Sequence, residues 1–179
     1  MTTLRLRPEG PADAAPIRQV LAAAFARPDA RRPPEVGLVE DLRAGDAWLP
    51  GLSMVGESGG EIVGYALLSR VRVRPTAVPA LALGPVAVAP HRQRIGHGTA
   101  VVQAVLDAAR EFDEELVVVL GAPAFYRRFG FVPARRFGLT SPWSGLGDPW
   151  QALPLTPAGP DGPAVRPGEV LFPTPWGQV

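Results

Sequence analysis

Cysteine is absent from the 179 residues, and with it every disulfide, thiolate metal site and cysteine nucleophile. Lysine is absent too, since all 18 basic residues are arginine. No Schiff-base lysine and no phosphate-loop lysine can therefore be part of the chemistry. There is no asparagine, and only two histidines occur, His91 and His97. No charge of one sign dominates: the formal net charge is +1, which implies no broad electrostatic footprint for nucleic acid. A long apolar run is missing as well. The longest, Leu116 to Phe125, contains glycine and proline and is too short to cross a bilayer. Arg5 and Arg7 near the start are followed by no apolar core, so the N-terminus does not read as a signal peptide. The expected location is cytoplasmic, with no membrane partner.

What is present suits one globular domain. A chain of this length can bury roughly 70% of its unfolded surface, and 46% hydrophobic with 20% charged residues is ordinary for such a domain. Leu4 to Pro8 alternates and reads as a short strand. Asp13 is placed to cap a helix carrying Ile17, Val20, Leu21, Ala24 and Phe25 at helical spacing. Glu35 to Ala44 predicts a second short helix with Val36, Val39 and Leu42 on one face. Leu52 to Glu57 and Glu61 to Val73, joined through Ser58-Gly59-Gly60, predict a hairpin. Ala80 to Ala89 is a strand interrupted at Gly84-Pro85, which marks a bulge or a break in pairing.

Gly98 to Phe112 is the clearest helix, with Val101, Val105, Ala108 and Phe112 as its apolar face. Glu115 to Leu120 reads as a buried strand and Pro123 to Phe129 as a two-turn helix that leaves through Gly130. Phe131 starts a further strand. Phe125, Phe129 and Phe131 read as core, and Arg70, Arg72 and Arg74 as a solvated strand face. From Thr140 on there are nine prolines and six glycines, with Trp150 to Leu155 and Glu169 to Phe172 as candidate edge strands. The order β-α-α-β-β-β-α-β-α-β predicts an α/β fold with a mixed central sheet. The expected division is a domain over 1–139 and a Pro/Gly-rich extension over 140–179 packed on it, which could serve as a lid or a homodimer contact.

The segment Val86 to Thr99 carries the chemistry. A buried strand enters a loop with two glycines that opens a long helix. The first amides of a helix lack intrahelical partners and stand at the positive end of its dipole, which suits a phosphate or pyrophosphate. Gly96 and Gly98 place no Cβ between backbone and anion, and Arg92 and Arg94 add positive charge. The Walker pattern fails for want of lysine. The dinucleotide fingerprint fails because its third glycine would be Val101. What remains is Gln-x-x-Gly-x-Gly at Gln93, Gly96 and Gly98.

This loop, placed after Val86-Ala87-Val88-Ala89-Pro90, resembles the pyrophosphate loop of the GNAT family of N-acetyltransferases. So does Ala124-Phe125-Tyr126-Arg127-Arg128-Phe129-Gly130-Phe131, which is similar to that family's aromatic-Tyr-x-x-x-Gly-Phe segment. The resemblance covers Leu4 to about Phe137. It implies a GNAT-like fold and transfer of an acetyl or other short acyl group from coenzyme A to an amine, by direct attack on the thioester and without a metal. Acetyl-CoA is then the cosubstrate. Its pyrophosphate would lie on the amides of Arg94, Ile95, Gly96, His97, Gly98 and Thr99, with Gln93 part of the motif. The pantetheine arm would pair with the strand at Val86, Ala87 and Val88. That arm would extend to a gap where this strand and Leu116 to Leu120 splay apart, near Gly84-Pro85. Tyr126 would protonate the leaving thiolate, and Phe125 and Phe129 would anchor its helix in the core. Tyr65, in the hairpin, reads as packing, and His91 and His97 as surface residues. Glu40, Asp41 and Glu57 are candidate bases among which the sequence does not choose, and it does not name the amine. A non-catalytic acyl-CoA sensor or complex subunit is the alternative, against which the Tyr126 hydroxyl speaks.

Overall fold

The computed structural model describes residues 3–29, 31–76, 78–156 and 165–179. In chain order its elements are β1 (Arg5–Pro8), α1 (Ala14–Ala24), α2 (Pro34–Arg43), β2 (Ser53–Ser58), β3 (Glu61–Arg74), β4 (Ala80–Val88), α3 (His97–Glu111), β5 (Leu116–Leu120), α4 (Pro123–Tyr126), β6 (Val132–Pro133), β7 (Leu139–Thr140), β8 (Trp150–Pro154) and β9 (Gly168–Leu171). The expected order is therefore present, in a mixed and mostly antiparallel arrangement of strands. Part of the expected C-terminal extension, 157–164, lies outside the described residues. The elements form two compact units: Met1–Ser69, Gly84–Ala108 and Thr174–Val179 in one, Arg70–Leu83 and Ala109–Pro173 in the other. β3 and β4 contribute residues to both.

In the first unit β2 pairs antiparallel with β1 on one side and with the opening half of β3 on the other. Gly56 and Gly64 are register partners. A Cβ at Gly56 would stand 3.0 Å from Val101 Cγ1, and one at Gly64 3.1 Å from the same atom. Their lack of side chains lets α3 lie close on the hairpin backbone through Val101. The buried stripe of α3 runs through Val101, Val102, Val105, Leu106 and Ala109. Phe112 departs from expectation: it is 51% exposed, because the stripe centres between Val102 and Val105 and the helix ends at Glu111. The apolar faces of α1 (Ile17, Val20, Leu21) and α2 (Val36, Val39, Leu42) are buried as their spacing predicts, and Leu38 is buried beside them. Tyr65 is wholly buried, with its hydroxyl 3.0 Å from Ser53 Oγ and 3.4 Å from Glu9 Oε2. Burial pushes its ionisation far above the ordinary phenol range.

Asp13 precedes α1 but does not cap it through its side chain. Its carboxylate accepts instead from the Arg7 guanidinium at 2.5 and 3.0 Å and from the Gly10 amide at 2.7 Å. The hydrogen bonds from Arg7, chiefly, hold it below the usual carboxylate range. A depressed folded-state pKa contributes stability above the unfolded value, near 4, and loses it as pH falls through the folded one. Asp13→Asn should therefore cost about 1–2 kcal/mol at pH 7, the scale of a charged hydrogen bond. In thermal melts the gap between variant and parent should shrink as pH falls below the unfolded value, near 4; a gap that stays constant into acid would count against this account.

In the second unit β5 pairs parallel with β4 over Ala80–Ala82 and antiparallel with β8 along its length. β8 also pairs with β6, and β9 pairs with β3 and β7. The expectation of edge strands at Trp150 and Glu169 is thus corrected: both are flanked on two sides. β8 meets its only proline at its last residue, so its donors up to that point are intact. The strand expected from Phe131 is only Val132–Pro133, where proline removes the next donor. Arg70 is not part of a solvated face. Its guanidinium makes two hydrogen bonds of 2.5 Å to Glu114, a carboxylate 4% exposed, while Arg72 and Arg74 are exposed. The two-turn helix is one α-turn followed by a 3-10 turn over Arg127–Phe129, ended by Gly130 with φ 93°.

Candidate functional site

Val88 ends β4, a 3-10 turn follows over Pro90–Arg92, and α3 begins at His97. The Ala89 amide donates to Val63 O at 2.9 Å, which ties the strand's end to β3. Burial alternates along β4: Ala87 is buried while Val86 and Val88 are half-exposed. β4 keeps its pairing with β5 only as far as Ala82. The stretch from Gly84 on, where the sequence marks an interruption, is outside that register.

The loop turns by left-handed backbone at two residues, Arg94 with φ 63° and Gly96 with φ 94°. Such a conformation is strained for arginine and open to glycine, and strain of this kind collects at ligand clamps. Left-handed residues within a loop also aim successive N–H groups to one side, the geometry of an anion nest. Gly96 O accepts the first intrahelical bond, from Ala100 N at 3.0 Å, so His97 and Gly98 head the helix. A Cβ on Gly96 would meet no heavy atom within 4 Å. That side of the loop is open to a ligand. Arg92 Nε is buried and has no hydrogen-bond partner among the described residues, a donor in want of an anion. Arg94 and Ile95 are exposed, His97, Gly98 and Thr99 half-buried. Gln93 serves the loop's structure, because its side-chain amide donates to Val88 O at 3.0 Å and ties the loop back to β4.

Tyr126 closes α4 in a ring cluster. Its centroid is 4.9 Å from Phe125, 6.5 Å from Phe129 and 5.7 Å from Phe131. Phe131 is buried, but Phe125 and Phe129 are only half-buried, which corrects the expectation that those two sink the helix into the core. A helix this short, with Arg127 and Arg128 following, has its apolar rings satisfied by one another. Gly121 makes room for the tyrosine: a Cβ there would overlap Tyr126 Cε2. Among the described residues nothing hydrogen-bonds the Tyr126 hydroxyl, and burial pushes its pKa up to about 12.

Of the candidate bases, Glu40 is held by two guanidiniums, Arg18 at 2.7 Å and Arg32, and its pKa is lowered, first by Arg18. Glu57 accepts from Arg7 at 3.2 Å. His91 is exposed on the 3-10 turn. No group of three or more His, Asp or Glu suited to a metal occurs among the described residues. Nor is any described helix long and apolar enough to cross a membrane. One residue had no signal in the sequence: Trp176, in the 3-10 turn Thr174–Gln178, whose ring edge lies on Gly84.

Residues 17–131 match the profile of the acetyltransferase (GNAT) family. The chain is 34% identical over 146 residues to an uncharacterized N-acetyltransferase, YhbS, of Escherichia coli strain K12, covering 82% of this chain and 84% of that one. It superposes on the crystal structure of Escherichia coli YhbS in complex with CoA with a TM-score of 0.84 and 28% identity, over 99% of this chain and 93% of the other. A GNAT family acetyltransferase of Brucella melitensis in complex with acetyl-CoA gives a TM-score of 0.77 and 30% identity, over 97% and 98% of the two chains. Family profile, sequence relatives and fold agree with one another and with the loop and aromatic motifs, and the chain belongs to the GNAT family of acetyltransferases.

Proposed function

We propose that this protein transfers an acetyl group from coenzyme A to an amine in the cytoplasm, with acetyl-CoA bound through the loop ahead of α3. The observation that carries the reading is the helix head itself: left-handed Arg94 and Gly96, the amides of His97 and Gly98, and the orphaned Arg92 Nε. A pyrophosphate supplies the acceptors that all of these lack. The likeness to structures holding CoA and acetyl-CoA supports the same ligand. The half-exposed positions Val86 and Val88 suit an extended amide-bearing arm laid along the strand.

The chemistry needs no covalent enzyme intermediate. The amine nitrogen attacks the thioester carbon, its C–N bond forms as the carbonyl becomes an oxyanion, and collapse breaks the C–S bond and expels the thiolate. Holding the two reactants in register lowers the barrier by paying their lost freedom in advance. Tyr126 is the proposed donor to the departing sulfur, and the proton lost by the amine passes to solvent. Glu40, paired with Arg18 and Arg32 and lowered in pKa, is a weak base for it.

Calorimetric titration with acetyl-CoA, followed by thiol release in an amine screen, tests the reading. Tight binding with turnover supports an enzyme, tight binding with no turnover supports the sensor alternative, and no binding removes both. Arg94→Ala should weaken binding severalfold and flatten its dependence on salt, because a screened charge contact has been lost. Parallel salt curves for variant and parent would show that Arg94 is merely solvated.

A further inference from the structure

Gly84 has φ 150°, and a Cβ on it would stand 2.9 Å from Trp176 Cη2 and 3.5 Å from Cζ3. The benzo edge of the indole therefore rests directly on the Gly84 backbone, in the space a side chain would take. The indole is fixed there. Its Nε1 donates to Ser69 Oγ at 3.1 Å, and Ser69 is wholly buried on β3. Trp176 is 9% exposed, and the turn that carries it packs on α2. All these residues lie in one compact unit with the pyrophosphate loop. Trp176 lies well past residue 131, where the match to the family profile ends.

Position along β4 gives the contact its meaning. The pantetheine arm consists of pantoate, β-alanine and cysteamine joined by two amides. Extended to roughly 15 Å along a strand at about 3.3 Å per residue, it spans on the order of four to five residues. Starting from the loop that follows Val88, its acyl end comes to Gly84-Pro85, where β4 is already out of register with β5.

We propose that Trp176 limits the length of the acyl group. Its ring edge fills the space beside Gly84 into which a chain longer than acetyl would extend, and so restricts the donor to acetyl-CoA or its nearest homologue. The inference rests on the proposed use of acetyl-CoA and names the donor class for that site. One methylene in an apolar pocket discriminates roughly tenfold or more, so a rigid wall at this point is sufficient for selection.

The test is calorimetric titration of the parent, Trp176→Ala and Trp176→Leu with acetyl-CoA, butyryl-CoA and hexanoyl-CoA. The parent should prefer acetyl-CoA to hexanoyl-CoA by at least tenfold. Trp176→Ala should erase that preference while binding acetyl-CoA within about threefold of the parent. Trp176→Leu keeps apolar packing on α2 but vacates the outer ring, so it should shift the preference the same way even if the alanine variant folds poorly. Destabilisation alone would weaken all three ligands together and leave their ratio unchanged, and an unchanged ratio in proteins that bind acetyl-CoA overturns this inference alone. A parent that binds no acetyl-CoA overturns the proposed function, and this inference with it.

Discussion

Tyr126→Phe should lower turnover on the order of a hundredfold, the lower range for a general acid, with acetyl-CoA affinity nearly unchanged. The substitution is clean in this structure. Phenylalanine keeps the edge-to-face contacts with Phe125 and Phe131 at 4.9 and 5.7 Å and the slot left by Gly121. The hydroxyl has no hydrogen-bond partner among the described residues, so its removal strands no buried group and should leave stability almost unchanged. The leaving thiolate has a reference pKa of about 8.5, and a proton delivered as the C–S bond breaks eases its departure. The same argument fixes the pH profile. With its pKa pushed up to about 12, Tyr126 keeps its proton throughout an ordinary assay range, so it should contribute no falling alkaline limb near pH 10. Full turnover in Tyr126→Phe with an acceptor in hand would mean that the thiolate leaves unaided or protonated by water.

Gly98→Val should weaken acetyl-CoA binding by at least tenfold, about 1.4 kcal/mol. Gly98 is the second residue of α3, among the amides ahead of the first intrahelical bond from Ala100 to Gly96. A branched side chain at the helix head takes the space through which a pyrophosphate approaches the N–H groups. The helix itself does not suffer, because valine is a better helix residue than glycine by a few tenths of a kcal/mol. A native circular dichroism spectrum and an unlowered Tm should accompany the loss. Unchanged calorimetric affinity in a folded variant would dissociate this loop from the cofactor.

Local chemistry was legible in the sequence wherever neighbours along the chain decide it. The Val86 to Thr99 segment declares strand, loop and helix head because glycine freedom, helix periodicity and the helix dipole act over a few residues. Tyr126 was legible only as a member of a motif. That its ring is held by three phenylalanines and that its ionisation is pushed upward depend on burial, which no spacing encodes. Phe112 shows the same limit from the other side: periodicity admits it to the apolar face, but the end of α3 leaves it in solvent.

What the sequence by itself determined is the order of elements and the strand, two-glycine loop and helix head over Val86 to Thr99. Pairings across long stretches of chain were decided only by the tertiary structure. Arg70 finds Glu114 44 residues away, and Trp176 bonds to Ser69 across 107 residues. Those contacts arise from how strands stack and where the chain returns, after the loop-closure cost has been met by burial. A proline-rich tail that reads as an extension packed on the domain thus places one indole ring against Gly84, in the middle of a β4 that runs unbroken from Ala80 to Val88.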